Sequence, residues 1–95
     1  AYACLATRIA YGEAVTKDKL AQIEQAEDAL KALGLNDVRV RHHNNLARIE
    51  VAQQEIELVS TELRAKIITA VKDAGFAYVT LDLEGFRSGS MNISL

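Results

Sequence analysis

Hydrophobic and polar positions follow a helical period in some stretches of this chain and a strand period in others. Apolar residues recur at helical spacing over 16–33, and Thr16 is a suitable N-cap, so we expect a helix there. Apolar and polar residues then alternate over 38–43 and again over 46–51, which is the period of half-buried strands. Asn44-Asn45 between them fits a tight turn, and the two stretches together predict a β-hairpin.

The second half of the chain repeats the two periods in the same order. Helical spacing over 61–74 predicts a second helix, and alternation over 76–83 predicts a third strand. Residues 1–15 show no sustained period and are expected to form an extended loop. A right-handed crossover would place the third strand parallel to one hairpin strand. We therefore predict an α+β two-layer sandwich of order αββαβ, in which two helices cover a small mixed three-stranded sheet.

Three guanidinium groups are expected on the outward face of the hairpin, at Arg39, Arg41 and Arg48. One interpretation is cross-strand pairing of Arg39 or Arg41 with Glu50, which stabilises a sheet by less than about 1 kcal/mol. The other is a clamp for phosphate or carboxylate, because forked guanidinium groups bind these anions in a bidentate manner. The residues alone favour neither. In both cases we expect this arginine face to be open to a substrate or a partner.

Composition limits the classes of function. The chain has 95 residues, 49% of them hydrophobic and 25% charged, which is typical of one small globular domain. A formal charge of −2 gives no electrostatic reason to expect nucleic-acid binding. No apolar run approaches the roughly 20 residues needed to span a bilayer, and a single cysteine cannot form an internal disulfide. We expect a cytoplasmic setting and no membrane partner.

Cys4, the only cysteine, lies four residues before Arg8. The thiolate is the nucleophilic form of cysteine, and a nearby positive charge both favours it and holds an anionic substrate. A lone cysteine is also often a small buried hydrophobic residue. The composition and spacing leave this choice open.

Four blocks resemble the C-terminal part of the LarE-type sulfur transferases, which are ATP-dependent PP-loop enzymes of nickel-pincer nucleotide biosynthesis and lactate racemase maturation. They are CLATRI at 4–9, YGE at 11–13, RVRHH at 39–43 and LDLEGFRSGSMN at 81–92. The resemblance covers nearly the whole chain in order. It implies that 1–95 is a C-terminal substrate-binding domain of a larger protein whose N-terminal PP-loop domain is absent here, and the start at Ala1 without methionine suits an excised piece.

The resemblance implies a sacrificial sulfur transfer with Cys4 as the catalytic donor. Cys4 would attack an AMP-activated carboxylate of a pyridinium biscarboxylate mononucleotide, and elimination would leave a thiocarboxylate and dehydroalanine. The resemblance also favours the anion clamp over cross-strand pairing. The substrate-binding candidates that it implies are Arg8, Arg39, Arg41, Arg87, Ser88 and Ser90.

ATP and Mg²⁺ would be bound by the missing domain, because the five glycines of this chain are scattered and form no phosphate-binding loop. One thiol cannot supply an iron–sulfur cluster with the usual three or four cysteines. The resemblance also suggests a homo-oligomer, in which Glu27, placed on the solvated face of the first helix, would meet its symmetry mates around a metal. His42 and His43 point to opposite strand faces and cannot chelate one ion together. The alternative function is a non-catalytic regulatory or oligomerisation module of a PP-loop ATPase.

Overall fold

The computed structural model describes residues 2–86 and contains four α-helices, one short 3-10 helix (Gln53–Glu55) and three strands in this range. The helices are α1 (Tyr2–Ala6), α2 (Lys17–Ala32), α3 (Ile56–Ser60) and α4 (Arg64–Asp73), and the strands are β1 (Arg39–His43), β2 (Leu46–Glu50) and β3 (Tyr78–Leu81). Within the part of the chain that the structure describes, no helix combines the length and the apolar character that crossing a membrane requires.

Helix α2 confirms the first helix that the sequence predicts. The side-chain oxygen of Thr16 accepts a hydrogen bond from the Lys19 amide at 3.2 Å, so Thr16 is the N-cap. Asp18 places a carboxylate in the first turn, where the helix dipole favours a negative charge. Gly34 has a φ of +106°, the left-handed conformation that commonly follows a helix end.

The sheet has the order β1-β2-β3, and its strand directions agree with the prediction. β1 and β2 are antiparallel, with Val40 opposite Ile49, and the hairpin turn has Asn44 at a positive φ of 55°. β2 and β3 are parallel, as expected for strands joined by a helical crossover. The α+β class and the mixed three-stranded sheet are therefore confirmed.

Apolar side chains from α2 and α4 cover one face of this sheet. Ile23 and Leu30 of α2 and Val71 of α4 are fully buried with Val40 and Ile49 from the sheet. Burial of each such side chain stabilises the fold by about 1.5–3 kcal/mol. This apolar layer is the hydrophobic core of the domain.

The extended loop predicted for residues 1–15 is wrong at its beginning. Residues 2–6 form α1, and the chain then runs parallel to β1 through an isolated bridge between Ile9 and His42. The His42 amide donates to the Arg8 carbonyl at 2.7 Å, and the Ala10 amide donates to the His42 carbonyl at 2.9 Å. The outer edge of β1 would otherwise leave these backbone groups unpaired. The bridge therefore fixes the segment that carries Cys4 against the sheet.

The second predicted helix, 61–74, is confirmed by α4, which begins three residues later than expected. α3 ends before Thr61, whose φ of −119° and ψ of −86° are not helical, and α4 starts at Arg64. The Thr61 hydroxyl donates to the Glu57 carbonyl at 2.6 Å and so satisfies a group at the end of α3. Thr61, which the sequence placed at the start of the second helix, therefore ends α3 instead.

Candidate functional site

The Cys4 side chain is exposed on the short helix α1, and its carbonyl group is bonded by three donors. The Thr7 hydroxyl donates to the Cys4 carbonyl oxygen at 2.6 Å, and the Thr7 amide does so at 3.3 Å. Arg8 Nη1 donates to the same oxygen at 2.8 Å and to the Thr7 hydroxyl oxygen at 2.9 Å. A cationic donor therefore lies at the backbone of the only cysteine, while the thiol itself is accessible.

Glu27 holds the other side of the Arg8 guanidinium. Arg8 Nε lies 2.8 Å from Glu27 Oε2, and Arg8 Nη2 lies 3.4 Å from Glu27 Oε1. Glu27 Oε2 also accepts the Val40 amide of β1 at 2.9 Å. A single carboxylate of α2 therefore joins the turn after α1 to β1.

The predicted place of Glu27 on a solvated helix face is wrong, because only 3% of the residue is exposed. It lies four residues after Ile23 and three before Leu30, so the helical period places it on the same buried stripe. Its charge is compatible with burial because Arg8 and a backbone amide satisfy its oxygens. The predicted shared metal at Glu27 remains a prediction.

A second arginine, Arg41, approaches the same turn from β1. Its Nη1 donates to the Thr7 carbonyl at 3.2 Å, while Nε and Nη2 each lie 3.1 Å from Glu50 Oε1. Arg41 and Glu50 are 6% and 0% exposed, so this ion pair is buried. Arg8 and Arg41 thus meet at Thr7, each held by its own buried carboxylate.

Arg48 extends the ionic network to the end of β3. Its Nη1 lies 2.8 Å from Glu50 Oε2 and 2.6 Å from Asp82 Oδ2, and its Nε lies 3.3 Å from His43 Nε2. The expectation of an open arginine face is therefore wrong at its centre, where Arg41 and Glu50 are buried. The physical reason is that opposite charges compensate each other there, which makes their burial possible.

Of the two cross-strand pairs that the sequence offers for Glu50, the structure has the one with Arg41. Arg39 lies directly opposite Glu50, but the ion pair is made by Arg41 on the diagonal. Arg39 Nη1 instead contacts Asp37 at 3.1 Å, and its guanidinium lies 4.9 Å from the centre of the Phe86 ring. Its side chain is 28% exposed, the most accessible of the arginines predicted on this face.

The structure brings together two of the six predicted substrate-binding residues. Arg8 and Arg41 meet at Thr7. Arg39 lies at the beginning of β1, on the same sheet face as Arg41 but away from Thr7. The other three predicted residues, Arg87, Ser88 and Ser90, lie outside the described residues.

His42 points into the core, whereas the neighbouring His43 contacts Arg48, so the prediction that they face opposite sides is confirmed. His42 Nε2 lies 3.0 Å from Gln22 Oε1, and its ring packs at a tilt on Phe76 at 5.2 Å. His42 Nδ1 lies 3.4 Å from a Glu13 oxygen but makes no well-aligned hydrogen bond. Burial lowers the pKa of His42, and the Glu13 charge only partly offsets this.

Glu13 fastens the loop between α1 and α2. It accepts the Asn44 amide at 2.8 Å and lies 3.1 Å from Lys19 Nζ. Burial alone would raise the pKa of Glu13, but the Asn44 amide and Lys19 outweigh it, and the pKa is lowered. For His43, burial is the larger cause that lowers the pKa, and the Arg48 charge lowers it further.

Residues 2–86 contain no group of three or more His, Cys, Asp or Glu side chains arranged to hold a metal ion.

Sequence reasoning missed Thr7 and placed Glu27 and Glu50 at the surface, although both are buried. Cys4, Thr7 and Arg8 have the i, i+3, i+4 spacing of one helical turn, which would have joined them if the segment had been taken as helical. Glu27 could have been found from its place on the apolar stripe of α2. The sequence predicts Glu50 only as a surface partner of an arginine, whereas its burial follows from charge compensation by both Arg41 and Arg48.

The sequence of this chain is similar to those of three curated proteins. The chain is 44% identical over 90 residues to an uncharacterized protein of Synechocystis, covering 94% of this chain and 34% of the relative. It is 44% identical over 93 residues to the pyridinium-3,5-bisthiocarboxylic acid mononucleotide synthase of Lactiplantibacillus plantarum, covering 96% of this chain and 33% of that protein. An uncharacterized protein of Methanocaldococcus jannaschii is 33% identical over 85 residues, with 90% of this chain and 33% of the relative covered.

The chain therefore spans about a third of the length of these curated relatives. No family model matches it.

Proposed function

Because the comparisons confirm the resemblance to the LarE-type proteins and fit a C-terminal domain of one, we propose that this chain belongs to the sulfur-transfer machinery of nickel-pincer nucleotide synthesis. The observation that carries the proposal is the 44% identity, over 96% of the chain, to a synthase whose product is a bisthiocarboxylic acid. Such a product requires a sulfur donor for a carboxylate. The only thiol of the chain, Cys4, is exposed and accessible to a substrate.

The proposed reaction transfers sulfur from the protein to the substrate. The Cys4 thiolate attacks the carbonyl carbon of an AMP-activated carboxylate on a pyridinium biscarboxylate mononucleotide, and AMP leaves. This gives a thioester between the protein and the substrate. Loss of the Cys4 Cα proton with cleavage of the Cβ–S bond then releases the thiocarboxylate and leaves dehydroalanine at position 4.

Arg39 is the described residue that we propose for binding the substrate phosphate. It is the most accessible of the three hairpin arginines, and its partner Asp37 is 59% exposed, so their ion pair is weak and readily exchanged for a phosphate. Arg87, Ser88 and Ser90 complete the proposed phosphate site, as the resemblance implies. Direct phosphate ligation by Arg8 or Arg41 would require each to leave a buried carboxylate.

ATP and Mg²⁺ are proposed to bind in a separate PP-loop domain of the full-length protein, since the glycines of this chain form no phosphate-binding loop. The other proposed partners are the nucleotide substrate and further copies of the protein, in a cytoplasmic setting. One thiol in this chain cannot hold an iron–sulfur cluster with three or four cysteine ligands.

The full-length protein, incubated with substrate, ATP and Mg²⁺, tests this proposal. We expect product formation to be accompanied by loss of the mass of one H₂S from the intact protein, and the Cys4→Ala variant to form no product. Product formation with an unchanged protein mass would contradict sulfur donation by Cys4. Product formation by Cys4→Ala would contradict it equally.

A further inference from the structure

The Cys4 carbonyl oxygen is bonded more heavily than an ordinary helical carbonyl. The last carbonyls of a helix commonly lack a main-chain partner and bind water or one capping group. Here a main-chain amide, the Thr7 hydroxyl at 2.6 Å and Arg8 Nη1 at 2.8 Å all donate to one oxygen. One of these donors carries a full positive charge. The cluster surrounds the carbonyl group of the only residue that the proposed reaction consumes.

The elimination step creates negative charge on this oxygen. The Cα proton of a peptide residue is a very weak acid, and its removal places the electron pair in an enolate that includes the carbonyl oxygen of the same residue. Fixed donors aimed at an atom that gains charge lower the barrier of such a step. Charge-assisted hydrogen bonds are roughly twice as strong as neutral ones.

We propose that Thr7 and Arg8 form an oxyanion site for the Cys4 enolate and so promote conversion of Cys4 into dehydroalanine; this rests on the proposed sulfur transfer. The Cα proton passes to solvent water, which the exposed position of Cys4 admits. The electron pair forms the Cα–Cβ double bond as the Cβ–S bond breaks. Sulfur leaves with both electrons of that bond as the thiocarboxylate, and the Cys4 carbonyl is restored.

Glu27 is a positioning residue in this arrangement. It binds Arg8 through Nε and Nη2, which leaves Nη1 directed at the Cys4 carbonyl. The Val40 amide holds Glu27 in turn, at 2.9 Å. Because Glu27 is buried and bonded to β1, the guanidinium is oriented before the reaction begins, and no reorganisation is needed at the moment of charge development.

The same contacts also stabilise the C-terminal end of α1, since a cation near the last carbonyls of a helix is favourable. A role limited to helix stability predicts that loss of a donor changes thioester formation and elimination alike, or neither. An oxyanion site predicts that elimination alone slows. A test must therefore follow the two steps separately.

The first experiment follows single-turnover reactions of the full-length protein by intact mass spectrometry. In Thr7→Val we expect the thioester to form as in the unmodified protein but to decay at least about tenfold more slowly, so that it accumulates. In Arg8→Gln we expect the same slowing of the decay, measured from thioester that has already formed. Arg8→Lys retains a cationic donor and should restore part of the elimination rate. Thr61→Val removes a matched hydroxyl-to-carbonyl bond at the C-terminal end of α3 and should change neither step. Equal slowing of both steps, or unchanged decay in Thr7→Val, would overturn the proposal.

The second experiment separates failure of this inference from failure of the proposed function. A dibromoalkane diamide converts the Cys4 thiol into a cyclic sulfonium, which gives dehydroalanine by loss of the same Cα proton without substrate or ATP. We expect this elimination to be at least about tenfold slower in Thr7→Val and in Glu27→Gln than in Thr61→Val. Thr7 is exposed, so that variant is expected to fold even if a change at buried Glu27 prevents folding. Equal elimination rates in Thr7→Val and Thr61→Val would reject the oxyanion site, whatever the enzymatic assay shows.

Discussion

The two faces of the hairpin are both buried at their centres, but by different kinds of interaction. On one face Val40 and Ile49 pack against α2 and α4, and they are 0% and 1% exposed. On the other, Arg41 and Glu50 are 6% and 0% exposed and form an ion pair that Arg48 extends. The interactions on the apolar face have no preferred direction, and their contribution to stability depends on how well the side chains fill the available volume. The ionic face depends on charge and on the position of each partner, and it is the face that contacts the turn after Cys4.

This difference explains why the two faces are expected to respond differently to substitution. Apolar packing tolerates small rearrangements, whereas a buried charge pair loses its compensation when one member is removed. Arg41 can hold the Thr7 carbonyl because Glu50 fixes its orientation. The predictions that follow compare the two faces, starting with the largest expected effect.

Glu50→Ala should destabilise the domain by about 3–5 kcal/mol, because Arg41 would be left buried without its carboxylate partner. Urea denaturation of the full-length protein and of this domain measures the loss. The isosteric Glu50→Gln should lower the free energy of unfolding almost as much as Glu50→Ala, since it conserves the volume but removes the charge. Glu57→Ala, at an exposed position in α3, is the control and should be within about 0.5 kcal/mol of the unmodified protein. Similar stability of Glu50→Ala and Glu57→Ala would show that the ionic face carries little stability.

Ile49→Ala, on the apolar face, should cost about 3 kcal/mol, within the range for loss of a buried aliphatic side chain and the cavity that it leaves. Here volume alone decides the effect, so Ile49→Val should cost only about 1 kcal/mol. The same urea titrations measure both. If Ile49→Val cost as much as Ile49→Ala, the account of this face as dependent on volume would be wrong.

Lowering the pH should destabilise the fold through His42 and His43. The pKa of each is lowered by burial from its ordinary value of 6.5, so the unfolded chain takes up protons at a higher pH than the folded one. Stability is therefore full above that value and falls as the pH decreases towards the folded pKa values. The lowered pKa of Glu13 adds a separate loss of the same sign below about pH 4.5.

Urea midpoints compared between pH 7.5 and pH 5.5 test the histidine effect, with His42→Gln and His43→Gln as variants. Each variant should reduce the pH dependence, and His42→Gln separates the contribution of the apolar face from that of the ionic face. A midpoint that rises on acidification would contradict the lowered pKa values.

Arg39→Ala should have the smallest effect, below about 1 kcal/mol, because its contacts with Asp37 and Phe86 are partly exposed. The same variant should weaken substrate binding if Arg39 binds the phosphate. The substrate concentration that gives half of the maximal single-turnover rate measures the effect on binding, and thermal denaturation measures the effect on stability. Unchanged substrate dependence would remove Arg39 from the proposed phosphate site.

The sequence predicted the apolar half of the molecule well, because the spacing of apolar residues determines which face of a helix or strand is buried. This is why α2, the hairpin and the direction of β3 were expected correctly. The ionic half was not predictable in the same way. The period of α2 includes Glu27 in its apolar stripe, and the hairpin offers the pair of Arg41 with Glu50. That these carboxylates are buried depends on charge compensation between different elements, which no periodicity in the sequence records.

The Cys4 segment shows the same limit. Five residues are too few for a helical period, so α1 was missed, and with it the contacts of Thr7 and Arg8 to the Cys4 carbonyl. A cationic group close to Cys4 could be expected from the spacing of Cys4 and Arg8. Their arrangement could not, because it depends on the pairing of the chain with the edge of β1 at Ile9.

The most direct test of sulfur donation is peptide mapping of the protein after one turnover in the presence of a thiol that adds to dehydroalanine. The account predicts that the peptide containing position 4 carries the adduct in proportion to the thiocarboxylate formed, and that it no longer contains cysteine. Intact, unmodified Cys4 in that peptide, alongside an equivalent amount of product, would contradict the account.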